Sequence, residues 1–320
     1  LKTLSIGSRH GPESVAARRE AGVIMIYTSS QSGDILRIDP RENKHTVFAN
    51  TGGVPLGLQF DGEDNLIVAD AHKGLLSIDR DGAVSLLTNK AENDSPILYA
   101  DELDIAKDGK IYFSDASTKF GAQATGSTLG ASLLEILEHG KTGRILVFDP
   151  ADNSARAIAS GLSFPNGIAM CPDESCLLFT ETGTYSVKRL WLSGQKKGRI
   201  ETVIENLPGF PDNLDRGQDG RYWLGLTSPR VSILDTLSDK PFLRKMLQRL
   251  PARFRPGPTH YGFVMAIDEN GKVLAQYQDP SGAYPLTTGA LEPGDGWLYI
   301  GSLGSKTLGR KDISRETVGN

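Results

Sequence analysis

Cysteine is scarce in this chain: its 320 residues contain two, Cys171 and Cys176, both in "CPDESC". That scarcity excludes a disulfide-built framework, and with no His or second Cys pair nearby it argues against a zinc site. The pair fits a disulfide across a turn or two thiols on a hairpin, and the spacing leaves both open. Long apolar runs are missing as well. The longest, such as "VIMIY" and "RILVF", fall far short of the ~20 residues that cross a bilayer as a helix. An excess of basic residues is also absent, with 35 Lys and Arg against 39 Asp and Glu. A net charge of -4 gives no basic face for counterion-release binding, so the expected partner is a small molecule and not nucleic acid. The chain opens on Leu1 and not on Met, which leaves room for a removed signal or anchor and leaves the compartment open.

What is present is a soluble, core-forming composition, 38% apolar and 23% charged, with 36 glycines and a repeated pattern. Five stretches can be laid over one another: "VPLGLQFDGEDNLIVADAHKGLLSID", "YADELDIAKDGKIYFSDAS", "FPNGIAMCPDESCLLFTET", "FPDNLDRGQDGRYWLGLTS" and "LTTGALEPGDGWLYIGSLG". "GPESVAARREAGVIMIYTSSQSGDILRID" is the sixth. Each holds a short strand, a turn rich in Asp and Gly, and a second strand of β-branched and aromatic residues, which is a hairpin pattern. Runs such as "ILRIDP" and "RILVFDP" supply a further antiparallel strand. The reading is all-β: a six-bladed β-propeller of four-stranded antiparallel blades, with the first and last segments completing one another. No composition break or linker divides it, so 1–320 is expected to form one domain. Insertions at about 118–143 and 228–260 carry apolar residues at helical spacing and are expected to be short helices on the β scaffold.

Aligning the blades aligns their first residues: Glu13, Leu56, Asp101, Asn166, Asp212 and Thr288. In a propeller these positions face one another across the central channel. Glu13, Asp101, Asn166 and Asp212, with Asn213 beside the last, therefore gather oxygen-bearing side chains around one point. Singly, Asp or Asn after Pro is a turn residue. Four equivalent positions together point to a shared cation, and a ligand set of oxygens without His or Cys suits Ca2+.

"GPES", "IYFSDAS", "FPNGIAMCPDES", "PGFPDN" and "DGWLYIGSL", in this order and spacing, resemble the strictosidine synthase-like branch of six-bladed propellers. Wider relatives of that branch include the SMP-30/gluconolactonase group, the paraoxonases and diisopropyl fluorophosphatase. The resemblance implies a calcium in the channel held by Glu13, Asn166, Asp212 and Asn213. Many relatives have Asn-Asp where this chain has Asp101-Glu102, which adds negative charge here. The Glu that plant strictosidine synthases use for condensation falls near Thr288 or Gly289, and Glu292 sits too close to a turn to replace it. Amine–aldehyde condensation is therefore disfavoured.

The remaining enzymatic expectation is calcium-dependent hydrolysis of a lactone or ester, with arylesterase or phosphotriesterase side activity. Asp212 is the expected base or nucleophile, and His72, in "IVADAHKGLL", the expected second base. His260 has a weaker claim to the channel. The alternative is a propeller that holds calcium and binds without turnover. The helix at 242–250 is expected to pack its apolar face on the blades and solvate its charges; membrane contact is the other reading, without support from the pattern itself.

Overall fold

In the computed structural model, which describes residues 1–314, the strands form six antiparallel sheets of four. Their innermost strands are Val15–Glu20, Pro55–Phe60, Ala100–Ile105, Pro165–Met170, Gly209–Arg216 and Thr287–Leu291. Each touches the innermost strand of the sheets on either side, and the first touches the sixth, so the sheets are the blades of a closed ring. Blade 6 takes its outermost strand from the other end of the chain: Lys2–Ser5 pairs with Thr307–Asp312, with Lys2 opposite Arg310. The expected six-bladed propeller, with its ends completing one another, is what the chain forms.

The strands are apolar on both faces because each blade is covered on both faces. In "LIVAD" of blade 2, Leu66 and Val68 pack with Met25 and Tyr27 of blade 1. The alternate residues Ile67 and Ala69 pack with Leu103 and Phe113 of blade 3. A period of two thus divides one strand between two cores. In blade 4, Leu177 and Phe179 face blade 3, while Cys176 and Leu178 face blade 5. Cys171 and Cys176 are disulfide-bonded, with Cα atoms 5.3 Å apart, across the first hairpin of that blade. Of the two readings the spacing left open, the bridge is the one realised.

Both insertions are helical and both leave a blade between its second and third strands, at the end of the ring where the innermost strands begin. Blade 3 contributes α1 (Ala122–Thr125) and α2 (Thr128–Glu138); blade 5 contributes α3 (Ser232–Thr236) and α4 (Pro241–Gln248). α2 packs on α4. They are joined by Arg244 of α4, which is 3% exposed and donates to the carbonyls of Ile136 at 2.6 Å, Leu137 at 3.1 Å and Leu234 at 2.9 Å. A guanidinium at the end of α2 adds donors to its last carbonyls, of which Ile136 O also accepts from His139 N at 3.1 Å, and meets the negative end of its dipole. The orientation expected for this helix holds for Leu247, which packs on the cluster of Ala131, Ile136 and Leu137, and is overturned for the rest. Its buried face carries the charge of Arg244, and its apolar residues Phe242 and Met246 stand 73% and 53% exposed.

Candidate metal centre and its cavity

The innermost strands of blades 3 to 6 each carry a bulge where the channel residues lie. In blade 3, Ala100 pairs with Asp115 and Leu103 with Phe113, so Asp101 and Glu102 share the space of one residue. The same irregularity holds Asn166 and Gly167 in blade 4, Asp212 and Asn213 in blade 5, and Thr288 and Gly289 in blade 6. A bulge re-aims side chains that would otherwise alternate strictly between faces. It is why an adjacent pair such as Asp212-Asn213 can serve one site. Gly167 is required for this approach: a Cβ there would lie 2.2 Å from the backbone nitrogen of Leu214 and 2.6 Å from the carbonyl oxygen of Asp212.

Acids at the ends of the second strands hold these heads in place. Asp115 accepts from the backbone N–H groups of Leu98 and Tyr99 at 3.2 and 2.9 Å and receives Arg144 Nε at 2.9 Å. Asp70 accepts from Val54, and Glu181 from Ser163, in the corresponding places of blades 2 and 4. The repeated final acid of "LIVAD", "IYFSD" and "CLLFTE" is therefore an anchor for the segment entering the channel.

Glu13, Asp101, Asn166 and Asp212 line a single cavity at the helical end of the ring, and all four are buried. Asn166 Nδ2 donates to Asp212 Oδ1 at 2.6 Å and to Asp101 Oδ2 at 3.0 Å, bridging the two carboxylates. Its carbonyl oxygen has no partner, nor have Glu13 Oε2 and Asn213 Oδ1, although each atom is inaccessible to water. Burial, then the charges of Asp101, Asp212 and Glu102, raises the Glu13 carboxyl well above the ordinary range. Burial and the Asp212 charge do the same for Asp101, and burial lifts Asp212 to about 8.

These features fit an oxygen-bound cation. Buried acceptors without donors are costly, and an oxygen set of carboxylates with carboxamides is what calcium accepts. Among the described residues no three His, Cys, Asp or Glu side chains make a metal-holding group on their own, so a cation here would need the carboxamides of Asn166 and Asn213 as well.

Leu56, Phe164, Phe210, Leu286 and Leu303 give the cavity apolar walls, and Leu133 and Leu137 of α2 with Val231 and Leu234 of the second insertion roof it. His72 is not among the lining residues. It lies in the turn after Asp70, its backbone nitrogen bonded to Asp70 Oδ1 at 2.9 Å. His260 does not line the cavity either. Glu292 is occupied elsewhere, accepting from Trp223 Nε1 at 2.8 Å and from the backbone of Gln218 at 3.2 Å. Thr288 donates to the Glu13 carbonyl at 2.5 Å, tying blade 6 to the head of blade 1. Tyr99, which sequence reasoning passed over, does line the cavity. Burial and the surrounding carboxylates hold its phenol well above its ordinary pKa, so it stays protonated as a donor. Its signal was its place, two residues ahead of Asp101.

Further down the channel lies a second acidic group. Asp104 accepts from Gln59 Nε2 at 2.8 Å, Ile105 N at 2.8 Å and Met170 N at 2.7 Å, with Arg216 Nε 3.5 Å away. Asp215 is lifted to about 7 by burial and by the Asp104 charge, while a backbone bond from Ala290 opposes the rise. Glu102 stands between the groups: burial and the Asp215 charge raise its carboxyl, and one oxygen accepts from Leu103 N at 3.0 Å.

Comparison with known proteins shows the family and the fold. Residues 101–195 match the strictosidine synthase family profile, and residues 1–38 match that of the strictosidine synthase-like N-terminal region. Protein STRICTOSIDINE SYNTHASE-LIKE 13 of Arabidopsis thaliana is 34% identical over 259 residues, covering 79% of this chain and 62% of that one. Protein STRICTOSIDINE SYNTHASE-LIKE 7 of the same plant is 32% identical, covering 99% and 83%. The adipocyte plasma membrane-associated protein of Salmo salar is 31% identical, covering 95% and 76%. Among solved structures, a gluconolactonase from Xanthomonas campestris superposes with a TM-score of 0.68 at 17% identity, covering 96% of this chain and 86% of that one. The calcium-binding protein regucalcin from Agrobacterium tumefaciens gives 0.62 at 14% identity, covering 93% and 85%. At those identities the structural likeness is one of fold.

Proposed function

We propose, on the premise that this chain belongs to the strictosidine synthase-like family of proteins, that it is a calcium-dependent hydrolase of an apolar lactone or ester. The observation that carries the reading is the set of three unpartnered buried oxygens, on Glu13, Asn166 and Asn213, beneath an apolar-walled cavity. Glu13, Asn166, Asp212 and Asn213 would hold the ion, with Asp101 joined to them through the Asn166 amide. When bound, a divalent cation supplies electrophilic stabilisation of the oxyanion that develops as an acyl carbonyl is attacked. Opposite charge lowers a carboxyl pKa, so Asp212 would be ionised and able to take a proton from water or attack the carbonyl itself. Tyr99 keeps its proton and orients a substrate oxygen. The leucines and phenylalanines of the walls bind the apolar part of the substrate and exclude bulk water.

The lactonase named in one structural neighbour supports a hydrolytic reading by analogy of fold, and the calcium named in another supports the ion. One observation favours the non-catalytic alternative, a propeller that holds calcium and only binds: no His or Lys is among the residues lining the cavity. A panel of lactones and aryl esters, assayed before and after calcium chelation, separates the two. Turnover that chelation removes and added calcium restores is the expected outcome. No turnover across the panel, with calcium changing only thermal stability, sinks the hydrolase.

A further inference from the structure

The roof of the cavity has an outer side that the acid cluster does not explain. On α4, Phe242, Leu243 and Met246 fall within about 100° of one another, opposite the buried Arg244, and Leu250 follows just past the helix end. They are 73%, 41%, 53% and 38% exposed, and Phe254, a few residues on, is 59% exposed. A group of large apolar side chains left in solvent on one short segment marks a surface that something covers. Charge indicates what. Lys245 and Arg249 flank the apolar stripe on its other edge, with Lys240 before it and Arg253 after it, all exposed. The segment 228–260 holds seven Lys and Arg against two Asp, in a chain whose net charge is -4. Asp235 of those two is engaged by Arg230 at 2.9 Å, and Lys245 reaches Glu138 at 3.5 Å.

We propose that this face docks on an anionic lipid bilayer. Phe242, Met246 and Leu250 enter the headgroup and acyl boundary, and Lys240, Arg249 and Arg253 meet the phosphates. An amphipathic element with aromatic and aliphatic residues on one side and Lys and Arg beside them binds such an interface by both terms at once. A two-fold contact between copies of the chain would set cation against cation and is disfavoured by the same charges. The inner side of this segment, through Val231, Leu234, Pro256 and Pro258, lines the cavity, so docking would bring its mouth to the lipid.

Vesicle co-sedimentation of the whole chain tests this, with phosphatidylcholine alone and with phosphatidylcholine containing phosphatidylserine. Binding to the anionic vesicles, weakening as salt is raised, is expected. Lys240→Gln and Arg249→Gln together should lower the partition about 25-fold, about fivefold for each cation. Phe242→Ser with Met246→Ser should abolish it, with thermal midpoints of all variants unchanged. Phe242→Trp gives a second readout, a blue shift of emission on anionic vesicles. Failure to bind either vesicle, binding indifferent to Phe242→Ser with Met246→Ser, or light scattering in which those substitutions dissociate a dimer would each overturn the proposal. Hydrolysis is read in the separate panel assay, so either idea can fail alone.

Discussion

The channel carries carboxylates at two levels, and they are held on different terms. Asp104, in the lower group, has three hydrogen-bond donors from blades 2, 3 and 4 and a guanidinium from blade 5 nearby. Its negative charge is spent on tying the ring together. In the upper group the donors found are few: Asn166 Nδ2 serves two carboxylates, and oxygens of Glu13, Asn166 and Asn213 are left without any. Similar residue types, buried to a similar depth, are thus a structural clasp in one place and an unfilled set of acceptors in the other. Partnering, and not composition, separates a clasp from a site.

The sharpest way to break that contrast is a pair of substitutions. Asp212→Asn should cut hydrolysis by about a thousandfold or more while leaving the fold intact, as loss of a group acting in the transition state does. Asp104→Ala should do the reverse, costing about 3 kcal/mol of stability by stranding buried donors, with hydrolysis by the folded fraction nearly unchanged. Equal loss of activity and stability in both variants would erase the distinction; rates and denaturation midpoints measured side by side decide it.

A smaller effect comes from pH. In calcium-free protein Glu13, Asp101 and Asp212 have carboxyl pKa values raised by burial, to about 8 for Asp212. The folded state then keeps protons that the unfolded chain releases near pH 4, so the contribution of these groups to stability is greatest below that pH and declines as pH rises towards 8. The decline should amount to a few kcal/mol, and calcium, replacing those protons, should flatten most of it. Asp215, lifted to about 7 in the lower group, should keep a residual slope that calcium does not remove. Denaturation midpoints across pH, with calcium and with chelator, would show the two slopes; identical profiles would mean that the upper group is no cation site.

The smallest effect belongs to neither level. Cys171→Ser with Cys176→Ser opens a bridge that spans only four intervening residues, within a hairpin that already pairs Cys171 N with Cys176 O at 2.9 Å. A loop that short should contribute about 2 kcal/mol at most, seen as a small drop in thermal midpoint with hydrolysis unaltered.

The blades were legible because their pattern repeats: six copies of one hairpin fixed both the count and the equivalence of Glu13, Asp101, Asn166 and Asp212. The bulges were not, since one surplus residue in a strand leaves no mark until its partner strand is known. Asp104 did not stand out within "ELDI", because Gln59, Met170 and Arg216 lie far from it in sequence. For α4 the apolar pattern was correctly seen, but its direction holds only for Leu247, while Phe242, Leu243 and Met246 face solvent. The usual rule places apolar residues inward, and only the carbonyl ends near Ile136, Leu137 and Leu234 show why Arg244 took that place. His72 attracted notice as an imidazole near a strand end; its turn is bonded to Asp70 through backbone N–H groups, and it is not among the residues lining the cavity.

The pairing of Lys2–Ser5 with Thr307–Asp312 has a consequence in time. While the chain is being synthesised, blades 1 to 5 can form successive hairpins, but blade 6 waits for its last partner and the circle stays open. Glu13 and Asp212 belong to blades that meet only around that circle, so the full upper oxygen set rests on this non-local pairing. Affinity for an ion would therefore depend on completing a non-local closure between the two ends of the ring.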